Sequence, residues 1–209
     1  TQKSVYTDQK TYYESRSWHH SRCERRARKA FYQLHSLTLK RADKRQKIVA
    51  IIFGPVASRR FGSSLGIDLS PEQKCCNFDC LYCELAPAKV RDNIANPPSV
   101  ELVISELKKA ISTHGATDVI TLTANGEPTL YPYLKELITQ INAIKSTQKL
   151  LILSNGSGAM DKGILKSLKE LDIVKFSLDS ADPLTYRKID RTLTKPDLST
   201  LIANMSQFA

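Results

Sequence analysis

The 209 residues hold no apolar run approaching the ~18 needed for a membrane-spanning helix. Residues 1–47 also lack the apolar stretch of a signal peptide, so the sequence gives no reason to expect a membrane or a secretory route. The five cysteines are not spaced as a disulfide framework; four of them fall within residues 75–83, a usage that favours a reducing cytoplasm. Charge imbalance is missing from most of the chain. The net +10 resides in residues 1–47, with 13 Lys/Arg against 4 Asp/Glu, while residues 48–209 hold 18 against 17. The body therefore carries no general electrostatic footprint for nucleic acid. With 41% hydrophobic and 25% charged residues, the composition is otherwise that of a globular protein able to bury a full core.

Residues 1–47 combine a polar, aromatic-dotted stretch (6–20) with a basic run (22–29), and Phe31, Leu34, Leu37 and Leu39 give only a weak helical stripe. One reading is a basic arm that touches RNA. The preferred reading is a solvated, poorly ordered extension or sequence foreign to the domain, since nothing specifies a nucleic-acid motif. His19 and His20 read as surface residues. The folded domain is expected over 48–209. The chain starts at Thr1 and closes in an unfinished helical pattern, as a fragment would.

From Ile48 the character changes. Residues 48–53 form an apolar run that Gly54-Pro55 is expected to end, giving a short strand and a turn. Residues 65–69 read as a second strand, stopped by Ser70-Pro71. Strand–helix units then repeat. Ser99 is placed to cap a helix with Val100, Val103, Leu107 and Ile111 on one face. A strand over 119–123 precedes a helix whose face is Leu134, Leu137, Ile138, Ile141 and Ile144, with Pro132 in its first turn. A strand over 150–153 precedes a helix marked by Ile164, Leu165, Leu168 and Leu171, and the last strand is expected over 173–178. Nearly all-apolar strands alternating with amphipathic helices imply parallel strands joined by right-handed crossovers. The pattern fits both a curved, barrel-like sheet and a flat doubly wound one.

Cys76, Cys80 and Cys83 stand after the second strand, with spacings of three and two intervening residues. A short loop at this spacing can turn three thiolates toward one centre, and soft thiolates select zinc, copper(I) or an iron–sulfur cluster. A structural zinc would want a fourth ligand; Cys75 points away as a direct neighbour, and Cys23 is distant. The trio on a cubane leaves one iron open for chemistry. Inert buried thiols or a zinc knot are the bland alternatives. In parallel α/β folds the site lies at the carboxyl ends of the strands, so Asn125-Gly126-Glu127, Ser154-Asn155, and Ser177, Asp179 and Ser180 should share a mouth with the cysteines.

Cys76-x3-Cys80-x-Tyr82-Cys83, with an aromatic before the last cysteine, resembles the signature of the radical S-adenosylmethionine (radical SAM) enzymes. The resemblance implies a partial parallel (β/α)6 TIM-like barrel, truncated after the fourth βα unit. It implies that Cys76, Cys80 and Cys83 hold a 4Fe-4S cluster whose open iron is chelated by S-adenosylmethionine. An electron from a reducing partner such as flavodoxin or ferredoxin then releases a 5'-deoxyadenosyl radical that abstracts hydrogen from a substrate the sequence does not identify. Gly126-Glu127-Pro128, beside Asn125, resembles the family segment that receives the methionine amino group; alone it would be an ordinary turn. Ser177 and Asp179, expected to alternate inward on the last strand, become candidates for the ribose or methionine carboxylate, against a strand-end role in which Asp179 caps the helix near Pro183. Asn155 divides the same way, leaning structural, and Tyr82 would pack near the adenine. Arg59 and Arg60 are candidate substrate contacts. The run 54–67 is similar to a group of Fe–S oxidoreductases related to the tRNA wybutosine-synthesis enzymes, a likeness covering 48 to about 209. A tRNA-modifying activity and a non-catalytic Fe–S or zinc module are the alternatives. With only Cys23 upstream, a second cluster is not expected.

Overall fold

The computed structural model describes residues 50–208; the expectations for residues 1–47 and for Ile48-Val49 lie outside the described residues. Two short strands open the domain, β1 (Ile52–Ser58) and β2 (Gly62–Asp68), paired antiparallel. Three more strands, β3 (Val119–Thr123), β4 (Lys149–Ser154) and β5 (Ile173–Phe176), extend the sheet from β2 in parallel, giving the order β1-β2-β3-β4-β5. The crossovers carry α1 (Val100–His114), α2 (Leu134–Ile144) and α3 (Lys162–Leu168). After β5 come α4 (Pro183–Asp190) and α5 (Leu198–Met205). Among the described residues no helix is long and apolar enough to cross a membrane.

The sequence places most of these elements within a residue or two. Helix α1 begins where Ser99 Oγ accepts from Leu102 N at 3.3 Å, and Gly115 ends it with φ +68°. Its buried face is Val100, Val103, Ile104 and Leu107, and that of α2 is Leu134, Leu137, Ile138 and Ile141. These pack onto Leu65, Ile67, Ile120, Leu122, Leu150 and Ile152, all fully buried.

Three expectations need correction. Gly54-Pro55 does not end the first strand; β1 runs through it to Ser58 with a register shift between Phe53 and Val56. Proline is tolerated because β1 is an edge strand, where a missing N–H breaks no central ladder, and glycine accommodates the φ of +108°. Pro132 lies before α2 rather than in its first turn, since a short 3-10 turn (Pro128–Leu130) intervenes and Tyr133 takes the cap position. The last strand stops at Phe176, so Ser177 and Asp179 are not strand residues.

Leu122→Ala, which empties a wholly buried position at the centre of the sheet, is expected to lower the unfolding free energy by about 2–5 kcal/mol, measured by urea denaturation followed by circular dichroism.

Candidate functional site

The parallel strands all end on one side, β2 at Asp68, β3 at Thr123, β4 at Ser154 and β5 at Phe176. Asp68 Oδ1 accepts from Ser70 N at 3.0 Å and from Asn125 N at 2.8 Å, tying the exit of β2 to the exit of β3. Ser70 Oγ adds a bond to Asn125 O at 3.1 Å. The cysteine loop is then fastened to the same place by main chain alone. Cys75 N donates to Asn125 O at 2.8 Å and Glu127 N donates to Cys75 O at 2.9 Å, an isolated parallel bridge between Cys75 and Gly126. Cys75 is fully buried, so its side chain belongs to the core and its backbone to the loop's anchor.

A second anchor grips the other flank. Leu81 N donates to Ile189 O at 2.9 Å, Leu193 N donates to Asn77 O at 2.9 Å, and Phe78 bridges Thr192 in antiparallel fashion. The end of α4 and the turn after it thus run alongside residues 77–81. Arg191, at φ +47°, places its guanidinium 3.5 Å from Asp79. Phe78 meets Tyr186 of α4 edge to face, with ring centroids 6.2 Å apart. This second anchor gave no sequence signal, because it rests on backbone groups of ordinary residues 108 to 116 positions apart.

On the loop that these anchors fasten, Cys76, Cys80 and Cys83 are free and half-buried. Each thiol has a different neighbour. Asn155 Nδ2 lies 3.8 Å from Cys76 Sγ, Cys80 Sγ donates to Asp190 Oδ1 at 3.5 Å, and Lys74 Nζ lies 3.3 Å from Cys83 Sγ. Burial pushes the Cys76 thiol up to about 11, with the Phe78 backbone N–H opposing and the Glu127 carboxylate reinforcing. Burial, then the Asp190 carboxylate, pushes Cys80 up to about 12. Asp190 is itself raised to about 7 by burial and by Asp179, and its Oδ2 is buried without a hydrogen-bond partner. The two thiols are therefore protonated at neutral pH, and a bound metal would displace those protons.

Glu127 is 1% exposed and its carboxylate is occupied from within. Oε1 accepts from Thr129 N at 3.0 Å, Thr129 Oγ1 at 2.6 Å and Ser154 Oγ at 2.7 Å, and Oε2 accepts from Asn155 N at 2.7 Å. The carboxyl is raised by burial, which these donors oppose. Glu127 thus clamps the exit of β3 to the exit of β4. Asn155, whose N–H completes that clamp, sends its amide to Asn77 Oδ1 at 3.0 Å.

The remaining candidates divide. Tyr82 is 53% exposed and its hydroxyl donates to Asp179 Oδ2 at 2.6 Å, so the cysteine loop meets the segment after β5. Asp179 is exposed and does not cap α4; Asp182 does, accepting from Thr185 N at 2.8 Å. Ser177 is exposed and continues the ladder through its N–H to Ser154 O at 2.9 Å. Arg59 and Arg60 are not brought to this mouth. They occupy the turn between β1 and β2, at the opposite end of β2, and seven strand residues put roughly 20 Å between them and the cysteine loop. The adjacency of Ser58-Arg59-Arg60 to a glycine-rich run carried no information about which end of the strand it would reach.

Three soft thiols in one half-buried mouth suit an iron–sulfur cluster by donor chemistry. Among the described residues no three His, Cys, Asp or Glu side chains converge as a single metal ion requires. A cubane attaches each thiolate to its own iron, so its donors need not meet at one point.

Gly126 sits at φ +138°, where an added Cβ would lie 1.9 Å from Cys75 O. Gly126→Ala is expected to cost about 3 kcal/mol in urea unfolding by breaking the bridge, whereas Gly115→Ala, with open space around its Cβ, should cost about 1–2 kcal/mol.

The model of the radical SAM superfamily matches residues 73–205. A UPF0026 protein of Helicobacter pylori strain J99 is 46% identical over 160 residues, which are 76% of this chain and 52% of that protein. A GTP 3',8-cyclase of Mycobacterium sp. strain KMS is 27% identical over 134 residues, covering 63% of this chain and 36% of that enzyme. A solved structure of TYW1 with a lysine-pyruvate adduct bound aligns with a TM-score of 0.45 at 19% identity, over 69% of this chain and 50% of that one. The chain spans about half the length of the curated relatives it matches. Because the matched span is well over half of the sequence and contains the thiol trio with both of its anchors, this chain belongs to the radical SAM superfamily.

Proposed function

We propose that residues 48–209 are the core of a radical SAM enzyme, in which Cys76, Cys80 and Cys83 hold a 4Fe-4S cluster and the adjoining mouth holds S-adenosylmethionine. The sheet is then the first part of a (β/α)6 barrel, four βα units long. The observation that carries this reading is the double main-chain anchoring of the cysteine loop, at Cys75–Gly126 on one side and Phe78–Thr192 on the other. It fixes three thiols at the carboxyl ends of parallel strands, where such folds place their chemistry. When bound, the cluster and S-adenosylmethionine supply a 5'-deoxyadenosyl radical able to abstract hydrogen from a substrate.

The chain's own residues bind and orient. Glu127, through its four internal donors, holds the loop of Asn125 and Gly126 in place, so the backbone there is the part of this segment offered to a ligand's ammonium group. The Asp179 carboxylate, exposed beside the Tyr82 hydroxyl, gives the mouth a negative group that favours a sulfonium cation. Tyr82 offers an exposed ring next to the last thiol of the trio, and Ser177 with Asp179 offers polar groups for a ribose or a carboxylate. Asn155 serves chiefly to hold Asn77 and with it the loop. An electron must come from a reducing partner of the flavodoxin or ferredoxin kind. The basic residues 1–47 are the part of the chain suited to an RNA contact.

Anaerobic reconstitution with iron and sulfide is expected to give about four irons per chain, a spectrum that changes when S-adenosylmethionine is added, and 5'-deoxyadenosine after reduction. Alanine at Cys76, Cys80 or Cys83 should remove most of the bound iron, while Cys75→Ala should keep it. A colourless protein with one zinc, or a cluster indifferent to S-adenosylmethionine, would sink the reading.

A further inference from the structure

The three thiols are not electrostatically equivalent. Cys80 faces a buried carboxylate, Cys76 faces a neutral amide, and Cys83 has the Lys74 ammonium at 3.3 Å. The other charges close to the trio are mostly negative, with Glu127 acting on Cys76 and Asp190 on Cys80. The guanidinium of Arg191 is engaged with Asp79. Lys74 is half-buried, so its charge is only partly screened by water. It stands next to Cys75, whose backbone is pinned through both its N–H and its C=O to Asn125 and Glu127 just past β3, and this limits where the lysine stem can swing.

We propose that Lys74 is a positioning residue that donates a charge-assisted hydrogen bond to Cys83 Sγ and so raises the reduction potential of the cluster held by the trio. This rests on the reading of Cys76, Cys80 and Cys83 as cluster ligands. The physical reason is direct. Reduction adds one electron and no proton to the cluster, and a cation at hydrogen-bond distance from a thiolate stabilises the more negative state more than the less negative one. Hydrogen bonds to sulfur and local net charge are among the factors that set iron–sulfur potentials. Lys74 is then the cation that touches one of the three thiols and favours the added electron at that corner. A lysine that only solvates the loop's surface would leave the potential unmoved.

The test is an EPR-monitored redox titration of the reconstituted 209-residue chain and of Lys74→Met, Lys74→Arg and Lys74→Gln. Lys74→Met keeps the stem and removes the charge. It should make the cluster about tenfold harder to reduce at a fixed solution potential, a fall of about 59 mV for a one-electron couple. Lys74→Arg should recover most of the loss, and Lys74→Gln, a neutral donor, should fall between. A Lys74→Met protein with full iron content and an unchanged potential would overturn the inference while leaving the cluster reading intact. If Lys74→Met takes up no cluster, Lys74→Gln decides: a lowered potential supports the role and an unchanged one removes it. Failure of the unsubstituted chain to take up iron would remove the cluster reading and this inference with it.

Discussion

The geometry of the mouth depends on a contact between two backbones. Cys75 can pair with the exit of β3 only because position 126 has no side chain, and that pairing sets where the next eight residues begin. A Cβ there would occupy the space of the Cys75 carbonyl itself, which is main chain and cannot rotate aside. The loop's three thiols, their burial and their different neighbours all follow from this starting point and from the second tie at Thr192. Thiols carried on an untethered loop would have to be gathered by the metal, at a cost in chain entropy that would weaken metal binding.

Glu127 illustrates how a residue can be singled out from the sequence while its partners stay hidden there. The resemblance of Gly126-Glu127-Pro128 to the radical SAM segment makes this glutamate a candidate acceptor for the methionine amino group. In the structure its two oxygens accept from Thr129, Ser154 and Asn155, and the residue is sealed from solvent. Burying a carboxylate is unfavourable unless donors surround it, and four short bonds meet that condition. The result is a polar rivet between neighbouring strand exits, in a position where an apolar side chain would leave several N–H and O–H groups unsatisfied.

What the sequence discloses follows from the range of the interactions involved. Strands and helices were legible because burial periodicity and caps such as Ser99 are local, and so was the trio of cysteines, whose spacing lies within eight residues. The parallel direction of the strands followed from their alternation with helices. Other features turned on long-range pairing. The partner of Cys75 is 51 positions away, the partner of Cys80 is 110 positions away, and neither Gly126 nor Asp190 carries a mark that names the other end. The place of Arg59 and Arg60 was equally hidden, because the β1–β2 hairpin sets them a strand's length from the cysteine loop that follows β2. The premature end expected at Gly54-Pro55 was a propensity overridden by position, since an edge strand tolerates what a central one does not.

Fastening the cysteine loop through peptide groups has an evolutionary consequence. Leu81 and Leu193 contribute N–H groups to the strap beside α4 while their side chains stand exposed, so drift at these sites can reshape the rim without loosening what lies beneath. The glycine at 126 is denied that freedom by the carbonyl of Cys75. A lineage built on such a scaffold can exchange its rim for new specificities and keep the hub untouched.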